Sequence, residues 1–377
     1  AKMPDNRQLD FERPEDFVME GVDLRANALE AWANDWLAEA YPDKIPAGHL
    51  LTVSGDASFR RYFRLPLMTG SLIAVDAPPA KENSRPFVAI ARALRAHGVR
   101  VPEVLAADFE QGFMLLEDFG DDLLQPALSH ETADLLYQRS MEALLHLLAC
   151  DEVPGHDLPL YDRQRLTDEM RLLRDWFVVG YLGLDLNAEQ ESVLSNAFAM
   201  IADAVTEQPQ VFVHRDYHSR NLMRLANGEI GVIDFQDAVT GPVTYDLVSL
   251  LRDAYVAWPQ ESVERWVREF AAMLRQENRL SHTDDATFMR WFDWMGAQRH
   301  LKVVGIFARL SLRDGKHGYL DDIPRVFNYL LAEIRPYAEF HALFDLLRNV
   351  LLPAYLAKKP DAADTLGHWL APQEQPA

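Results

Sequence analysis

The 377-residue sequence predicts an α+β chain of two lobes, a small antiparallel β-sheet lobe followed by a larger, mainly helical one. Three observations carry this. Short apolar runs of strand character occupy residues 49–77 and 104–116. Long amphipathic patterns occupy most of the chain after residue 120. Between them lies VFVHRDYHSRNLMRLANGEIGVIDFQD (211–237), in which two apolar runs bracket a polar loop.

Taken in order, residues 1–22 are rich in charge, carry Pro4 and Pro14, and read as a flexible arm. Residues 23–40 read as a leading helix, with Asp23 as N-cap and Leu29, Trp32, Trp36 and Leu37 at helical spacing. Three strands are expected from 51–53, 59–65 and 72–75. The Ser54–Ser58 turn between the first two offers backbone N–H groups, those of Asp56, Ala57 and Ser58, to phosphate oxygens. A helix is expected over 86–97, closed by Gly98, then strands over 104–107 and 113–116. Glu117-Asp118-Phe119-Gly120 then breaks the pattern. Later helices are expected over 130–149, 163–182, 188–207, from Gly241 to about 258, and over roughly 260–280, 285–312 and 321–349. The end of the chain reads as a frayed tail, 361–377.

Composition limits the functions available. Hydrophobic residues make up 49% and charged residues 25%, so the chain can bury a sizeable core. No run of about 18 apolar residues is present, so no transmembrane helix is expected. The polar N-terminal stretch does not read as a secretory signal. The single cysteine, Cys150, excludes an internal disulfide and a Cys-rich zinc site; it reads as a core residue and fits a reducing, cytoplasmic setting. The excess of 58 Asp+Glu over 37 Lys+Arg, a net charge of −21, opposes binding to a nucleic-acid backbone. Neither nucleic acid nor membrane is expected as a partner, and a monomer is favoured.

The chemistry concentrates in the 211–237 stretch, read as a hairpin whose arms are Val211–Val213 and Ile230–Ile233. His214-Arg215-Asp216 is followed, after four residues, by Asn221, and Asp234 ends the second apolar run. H-R-D alone says little. H-R-D-x-x-x-x-N followed by a hairpin and I-D-F matches the parts of kinase phosphoryl transfer: a base, Asp216, and two hard oxygen ligands for Mg²⁺, Asn221 and Asp234. On that template Glu117 and Phe119 lie at the hinge, where backbone groups meet the adenine edge. The Lys expected after the third strand is missing, and Asp76 stands there. Arg60 or Arg61 is the replacement cation expected for phosphate contact, with Ser58 at the phosphate-covering turn. Asp246 is expected to support the catalytic loop.

The run HRDYHSRNLM…GVIDFQDAVTGPVTYDLVSLLRDAY resembles the aminoglycoside/choline phosphotransferase superfamily, which has a protein-kinase-like fold. SGDASFRRYFRL, VDAPPAKENSRPF and QRHLKVVGIFARL resemble, within it, the bacterial kinases that phosphorylate the anomeric hydroxyl of N-acetylmuramate and N-acetylglucosamine. The resemblance spans roughly 48–335. It implies ATP and Mg²⁺ as cofactors, an amino-sugar substrate, a role in peptidoglycan recycling, Asp216 as base and Asn221 and Asp234 as metal ligands. The organisation it implies is an arm (1–22), a nucleotide-side lobe (23–118), a helical lobe with the catalytic hairpin and acceptor site (119–360) and a tail (361–377). His218, Arg220, Arg252, Asp253 and Arg299 are the candidate acceptor contacts, with His300 and Lys302 beside the last. Two other readings stand: a kinase of another small acceptor, such as an aminoglycoside, choline or homoserine, and a non-catalytic nucleotide-binding pseudokinase. Against a protein kinase stand the absence of G-x-G-x-x-G, V-A-I-K, D-F-G and A-P-E motifs.

Overall fold

The computed structural model describes residues 18–19, 22–53 and 59–371. The chain divides into two compact units, Ala1–Arg92 with Pro102–Gly120, and Ala93–Val101 with Asp121–Ala377. The arm expected over 1–22 lies largely outside the described residues, as does the Ser54–Ser58 turn.

In the first unit, β1 (Val18–Met19) and β2 (Val22–Asp23) form a short antiparallel pair leading into α1 (Leu24–Ala40). Asp23 caps α1, its carboxylate accepting from Ala26 N at 3.0 Å. The strands β3 (Leu51–Thr52), β4 (Arg61–Pro66) and β5 (Ser71–Asp76) precede α2 (Arg85–Ala96), β6 (Val104–Asp108) and β7 (Phe113–Glu117). They form one antiparallel sheet in the order β3-β4-β5-β7-β6. Alternation sends Phe63, Leu65, Leu72, Ala74 and Leu115 to one side, where Leu29, Ala33 and Leu37 of α1 meet them. The i, i+4, i+8 spacing on α1 is what makes that single apolar stripe. Trp32 and Trp36 flank it, half-buried against the same core. Gly112, at φ +76°, turns β6 into β7 where a Cβ would sit 2.0 Å from the Ala77 carbonyl oxygen, so no other residue fits without moving the strand.

Asp76, the residue at the position of the missing Lys, is fully buried and anchors this unit. It accepts from Arg25 of α1 at 2.6 Å and from Arg61 of β4 at 2.6 Å, and Arg61 also pairs with Asp23. A carboxylate here therefore holds the leading helix to the sheet.

The second unit contains α3 (Leu124–Ala127), α4 (Ala133–Leu148) and α5 (Arg163–Leu172), which widens into a π-helix over Leu173–Tyr181, then α6 (Ala188–Thr206). The strands β8 (Gln210–Val213), β9 (Leu222–Arg224), β10 (Ile230–Val232) and β11 (Val239–Pro242) follow, then α7 (Tyr245–Leu251), α8 (Gln260–Gln276) and α9 (Asp285–Asp314). The chain closes with α10 (Ile323–Ile334), α11 (His341–Leu346), a π-helical turn over Leu347–Leu351, α12 (Leu352–Lys358) and α13 (Ala363–Leu366). Among the described residues, no helix is long and apolar enough to cross a membrane.

Four expectations are corrected here. The hairpin partner of β10 is β9, directly after Asn221, with Val232 opposite Leu222. The run Val211–Val213 belongs instead to β8 and pairs with β11, Val213 opposite Val239. The Gly241–Pro242 segment is thus strand, and the helix after it is only Tyr245–Leu251. It stops because Asp253 turns back to accept from Tyr255 N at 2.8 Å. The helix expected over 321–349 ends at Ile334, ahead of Pro336, which has no N–H to continue it. Within the tail expected to fray over 361–377, residues 361–370 form further helical turns with Leu366 and Trp369 buried and the Trp369 indole bonded to Asn328 at 2.8 Å.

The long helix α9 is the central element of this unit. Its middle, from Phe292 to Gly305, is buried on all sides. Gly305 permits this, since a Cβ there would meet the Leu172 carbonyl carbon at 2.3 Å. That close approach fixes where Lys302 and Arg299, about one and two turns earlier, meet Glu169 and the Arg215 carbonyl.

Candidate phosphoryl-transfer site

The loop from β8 to β9 is held by Asp246, in the first turn of α7. Its two carboxylate oxygens accept from His214 N at 2.7 Å and Arg215 N at 3.0 Å. Asp246 is 1% exposed. Burial pushes its carboxyl up from 3.8 to about 6, against the lowering effect of His214 and the two N–H bonds. The His214 ring accepts from Asp216 N at 3.2 Å through Nδ1 and faces the Ile233 carbonyl at 2.9 Å through Nε2, which assigns the proton to Nε2. Arg215 adopts φ +82°, a left-handed conformation a bulky side chain avoids. It is held there by Arg299, which donates to the Arg215 carbonyl at 2.9 Å, and by its own guanidinium bond to Glu169 at 3.0 Å. The strain is local and sits one residue before Asp216.

Asp216 presents a side chain that is half exposed (51%), with Arg299 at 4.0 Å from Oδ1. Burial of the surroundings pushes its carboxyl up, but Arg299, Lys302, His218 and His214 outweigh that and hold it at about 2. It is ionised throughout the physiological range and is a weaker base than an ordinary aspartate.

Asn221 joins the other two candidates. Its amide nitrogen donates to the Asp216 carbonyl at 3.0 Å and to Asp234 Oδ2 at 3.3 Å. Its Oδ1 accepts no hydrogen bond among the described residues. Ile233 N donates to the Asn221 carbonyl at 3.1 Å, extending the β9–β10 ladder so that Asn221 and Asp234 face the same side. Asp234 is itself at φ +62°, and Gln236 steadies its Oδ1 at 2.7 Å. An amide oxygen and a carboxylate, each with its orientation fixed, suit Mg²⁺, which takes few protein ligands and keeps its others for water and phosphate.

The remaining candidates separate. Arg299 is buried, reaching the Tyr245 hydroxyl at 3.1 Å as well as the Arg215 carbonyl. Lys302 meets the same hydroxyl at 3.1 Å and Glu169 at 3.2 Å. These groups form a cationic floor under Asp216 and are enclosed by protein. Asp253 accepts from Ser219 N at 2.9 Å and is 1% exposed; it holds the loop from beneath. Arg252 lies in a buried ion cluster with Asp293 at 2.8 Å and Glu333 at 3.0 Å, where His300 also bonds Glu333. His218 stacks edge-on against Tyr255, centroids 5.3 Å apart. Arg220 is exposed on the loop, its guanidinium 3.6 Å above the Tyr255 ring. Glu169, on α5, lies outside every stretch singled out in the sequence; Tyr245 and Tyr255 lie within the run that resembles the family, but nothing in their spacing marks them for the site, and α7 and the loop after it bring them there.

In the first unit, Ser58 lies outside the described residues. Arg61 is engaged by Asp23 and Asp76, which directs its charge to the α1 contact. Arg60 is buried, with Glu82 at 3.2 Å and the Phe87 ring beneath it. Glu117 donates its backbone N–H to the Glu103 carbonyl at 2.9 Å. Between Glu117 and Phe119, Asp118 is fixed by Arg64 and Ser71, both at 2.6 Å. Cys150 is buried and its thiol is pushed up to about 11, chiefly by burial, so it is not a nucleophile at neutral pH.

An antiparallel sheet unit, a mainly helical unit, a loop carrying Asp216 and Asn221, and Asp234 directly after the β9–β10 hairpin define a phosphotransferase with a protein-kinase-like fold. The chain belongs to the phosphotransferase enzyme family, whose model matches residues 49–292. It is 41% identical over 333 residues to the N-acetylmuramate/N-acetylglucosamine kinase of Pseudomonas putida, covering 87% of this chain and 97% of that protein. It is 40% identical over 321 residues to the protein of that name from Neisseria meningitidis, covering 83% and 93%. Among solved structures it is similar to a choline/ethanolamine kinase family protein from Mesorhizobium loti, with TM-score 0.55 and 16% identity over 84% of this chain and 98% of that one. It is likewise similar to a Plasmodium vivax ethanolamine kinase, with TM-score 0.55 and 12% identity over 84% and 96%. At these identities the solved structures speak for the fold alone.

Proposed function

We propose that this chain transfers the γ-phosphoryl group of ATP to the anomeric hydroxyl of N-acetylmuramate and N-acetylglucosamine, in the cytoplasm, as a step in reuse of cell-wall sugars. The curated relatives bear those substrates in their names. The observation that carries the chemistry is Asn221, whose amide nitrogen ties the Asp216 backbone to the Asp234 carboxylate and so holds three far-separated residues in one arrangement.

Asp216 accepts a hydrogen bond from the sugar hydroxyl and orients its oxygen toward the γ-phosphorus. With a carboxyl at about 2, it cannot draw off the proton before the new P–O bond begins to form. Proton transfer is therefore late, which a loose transition state tolerates, and an anomeric hydroxyl is more acidic than an ordinary alcohol. Arg299 and Lys302 keep Asp216 charged and fixed. Asn221 Oδ1 and Asp234 would hold Mg²⁺, which supplies charge neutralisation on the nucleotide phosphates. In the first unit both arginine candidates for phosphate are already engaged, Arg60 by Glu82 and Arg61 by Asp23 and Asp76, and neither is assigned to phosphate.

The test is an acceptor panel with ATP and Mg²⁺, product position being read by ³¹P NMR. A sugar 1-phosphate from N-acetylmuramate or N-acetylglucosamine is expected. Phosphate appearing only on an aminoglycoside, choline or homoserine, or on no acceptor, contradicts the reading.

A further inference from the structure

The two sugars named for the relatives differ in one charged group: N-acetylmuramate carries a lactyl ether carboxylate that N-acetylglucosamine lacks. Resting on the functional reading above, we propose that Arg220, mounted on Tyr255, is the receptor for that carboxylate and sets the preference between acidic and neutral acceptors.

Four cations on or beneath the Asp216 loop are already committed. Arg215 and Lys302 pair with Glu169, Arg252 with Asp293 and Glu333, and Arg299 with the Arg215 carbonyl and the Tyr245 hydroxyl. Arg220 differs. It stands on the Asp216 loop itself, one residue before Asn221, and is exposed. Its guanidinium is already set in place: Cζ lies 3.6 Å from the Tyr255 ring centroid, and Nε donates to Gln125 Oε1 at 2.9 Å. Its two Nη groups have no hydrogen-bond partner among the described residues. That is the fork geometry a carboxylate binds through two parallel bonds, with little rotamer freedom left to lose on binding.

Tyr255 is placed for this by the loop that follows α7. Its N–H is held by Asp253, and its ring is braced by His218 at 5.3 Å and Phe307 at 6.4 Å. The same Asp253 carboxylate accepts from Ser219 N, so platform and loop are tied to one buried group. A neutral sugar makes no use of the fork.

The experiment measures kcat/KM for both sugars, and for the methyl ester of N-acetylmuramate, with the wild-type chain, Arg220→Gln and Arg220→Lys, folding being checked by circular dichroism. Arg220→Gln is expected to lower the ratio of kcat/KM for N-acetylmuramate over N-acetylglucosamine by at least tenfold, mainly through KM. Arg220→Lys, which keeps the charge but not the stacked fork, should restore only part of that ratio. The methyl ester should lose a similar factor on the wild-type chain and little more on Arg220→Gln. A ratio within about twofold of wild type in Arg220→Gln overturns the assignment and leaves the kinase reading intact. Failure of the wild-type chain to phosphorylate either sugar removes that reading, and this assignment with it.

Discussion

Replacing Asp246 with Asn separates what this buried carboxylate does for stability from what it does for the reaction. Its two oxygens accept from His214 N and Arg215 N at 2.7 and 3.0 Å. Asparagine keeps one acceptor and turns an NH₂ toward the other N–H, leaving a buried donor without a partner at a cost of about 1–3 kcal/mol. Against this stands the cost of keeping the carboxylate charged. A carboxyl raised from 3.8 to about 6 is worth roughly 3 kcal/mol at neutral pH, at about 1.4 kcal/mol per pH unit. The two effects nearly cancel, so Asp246→Asn should shift the unfolding free energy at pH 7 by less than about 2 kcal/mol. Turnover should behave differently. The lost bond releases the loop beside the strained Arg215, and a misplacement of about 1 Å at Asp216 costs roughly 10²-fold in rate. The pH dependence carries the sign. Because the folded-state value is raised, the stabilising contribution is fully present below about 4 and is lost as pH rises through about 6. The wild-type chain should therefore gain stability relative to Asp246→Asn as pH falls from 7 toward 4. Wild-type turnover should fall below about pH 6, as protonation removes one acceptor. Urea unfolding at pH 5 and 7 and a coupled ADP-release assay measure both. Wild-type turnover in Asp246→Asn, or a stability difference independent of pH, refutes the reasoning.

Other expectations follow from the same geometry. Asn221→Ala and Asp234→Ala should each lower turnover by at least about 10²-fold and raise the Mg²⁺ concentration needed for half-maximal rate, read by metal titration. Asp76→Ala leaves Arg25 and Arg61 facing an apolar gap at a fully buried position and should destabilise the chain by about 2–3 kcal/mol in urea unfolding; that is at or below the low end of the roughly 3–5 kcal/mol for a broken buried pair, because both arginines are partly exposed. Cys150 should resist thiol reagents at pH 7.5 until the chain is unfolded, as monitored by Ellman absorbance.

Some of this was legible in the sequence. The spacing Asp216-x₄-Asn221 and the I-D-F ending placed the candidate site. Asp23 read as an N-cap and is one, and Leu29 and Leu37 read as a helical stripe and pack as one. Pairing was harder to read. Val211–Val213 and Ile230–Ile233 are both apolar runs, and nothing local says that each pairs with a different strand. The strand Leu222–Arg224 was hidden because it is three residues long and begins directly after Asn221. Charge partners were equally hidden. Arg61 reads as a cation open to phosphate until Asp76, 15 residues on, appears beside it in the sheet. Tyr255 is an ordinary tyrosine in the sequence; only the termination of α7 at Leu251 brings its ring beneath Arg220.

The central claim is that Asp216 orients the acceptor hydroxyl for attack on phosphorus. Its most direct test is Asp216→Asn, with ATP affinity and turnover measured on the same preparation. ATP affinity within about twofold of wild type, with turnover lower by roughly 10²–10⁴-fold, is the predicted result. Turnover close to wild type contradicts it.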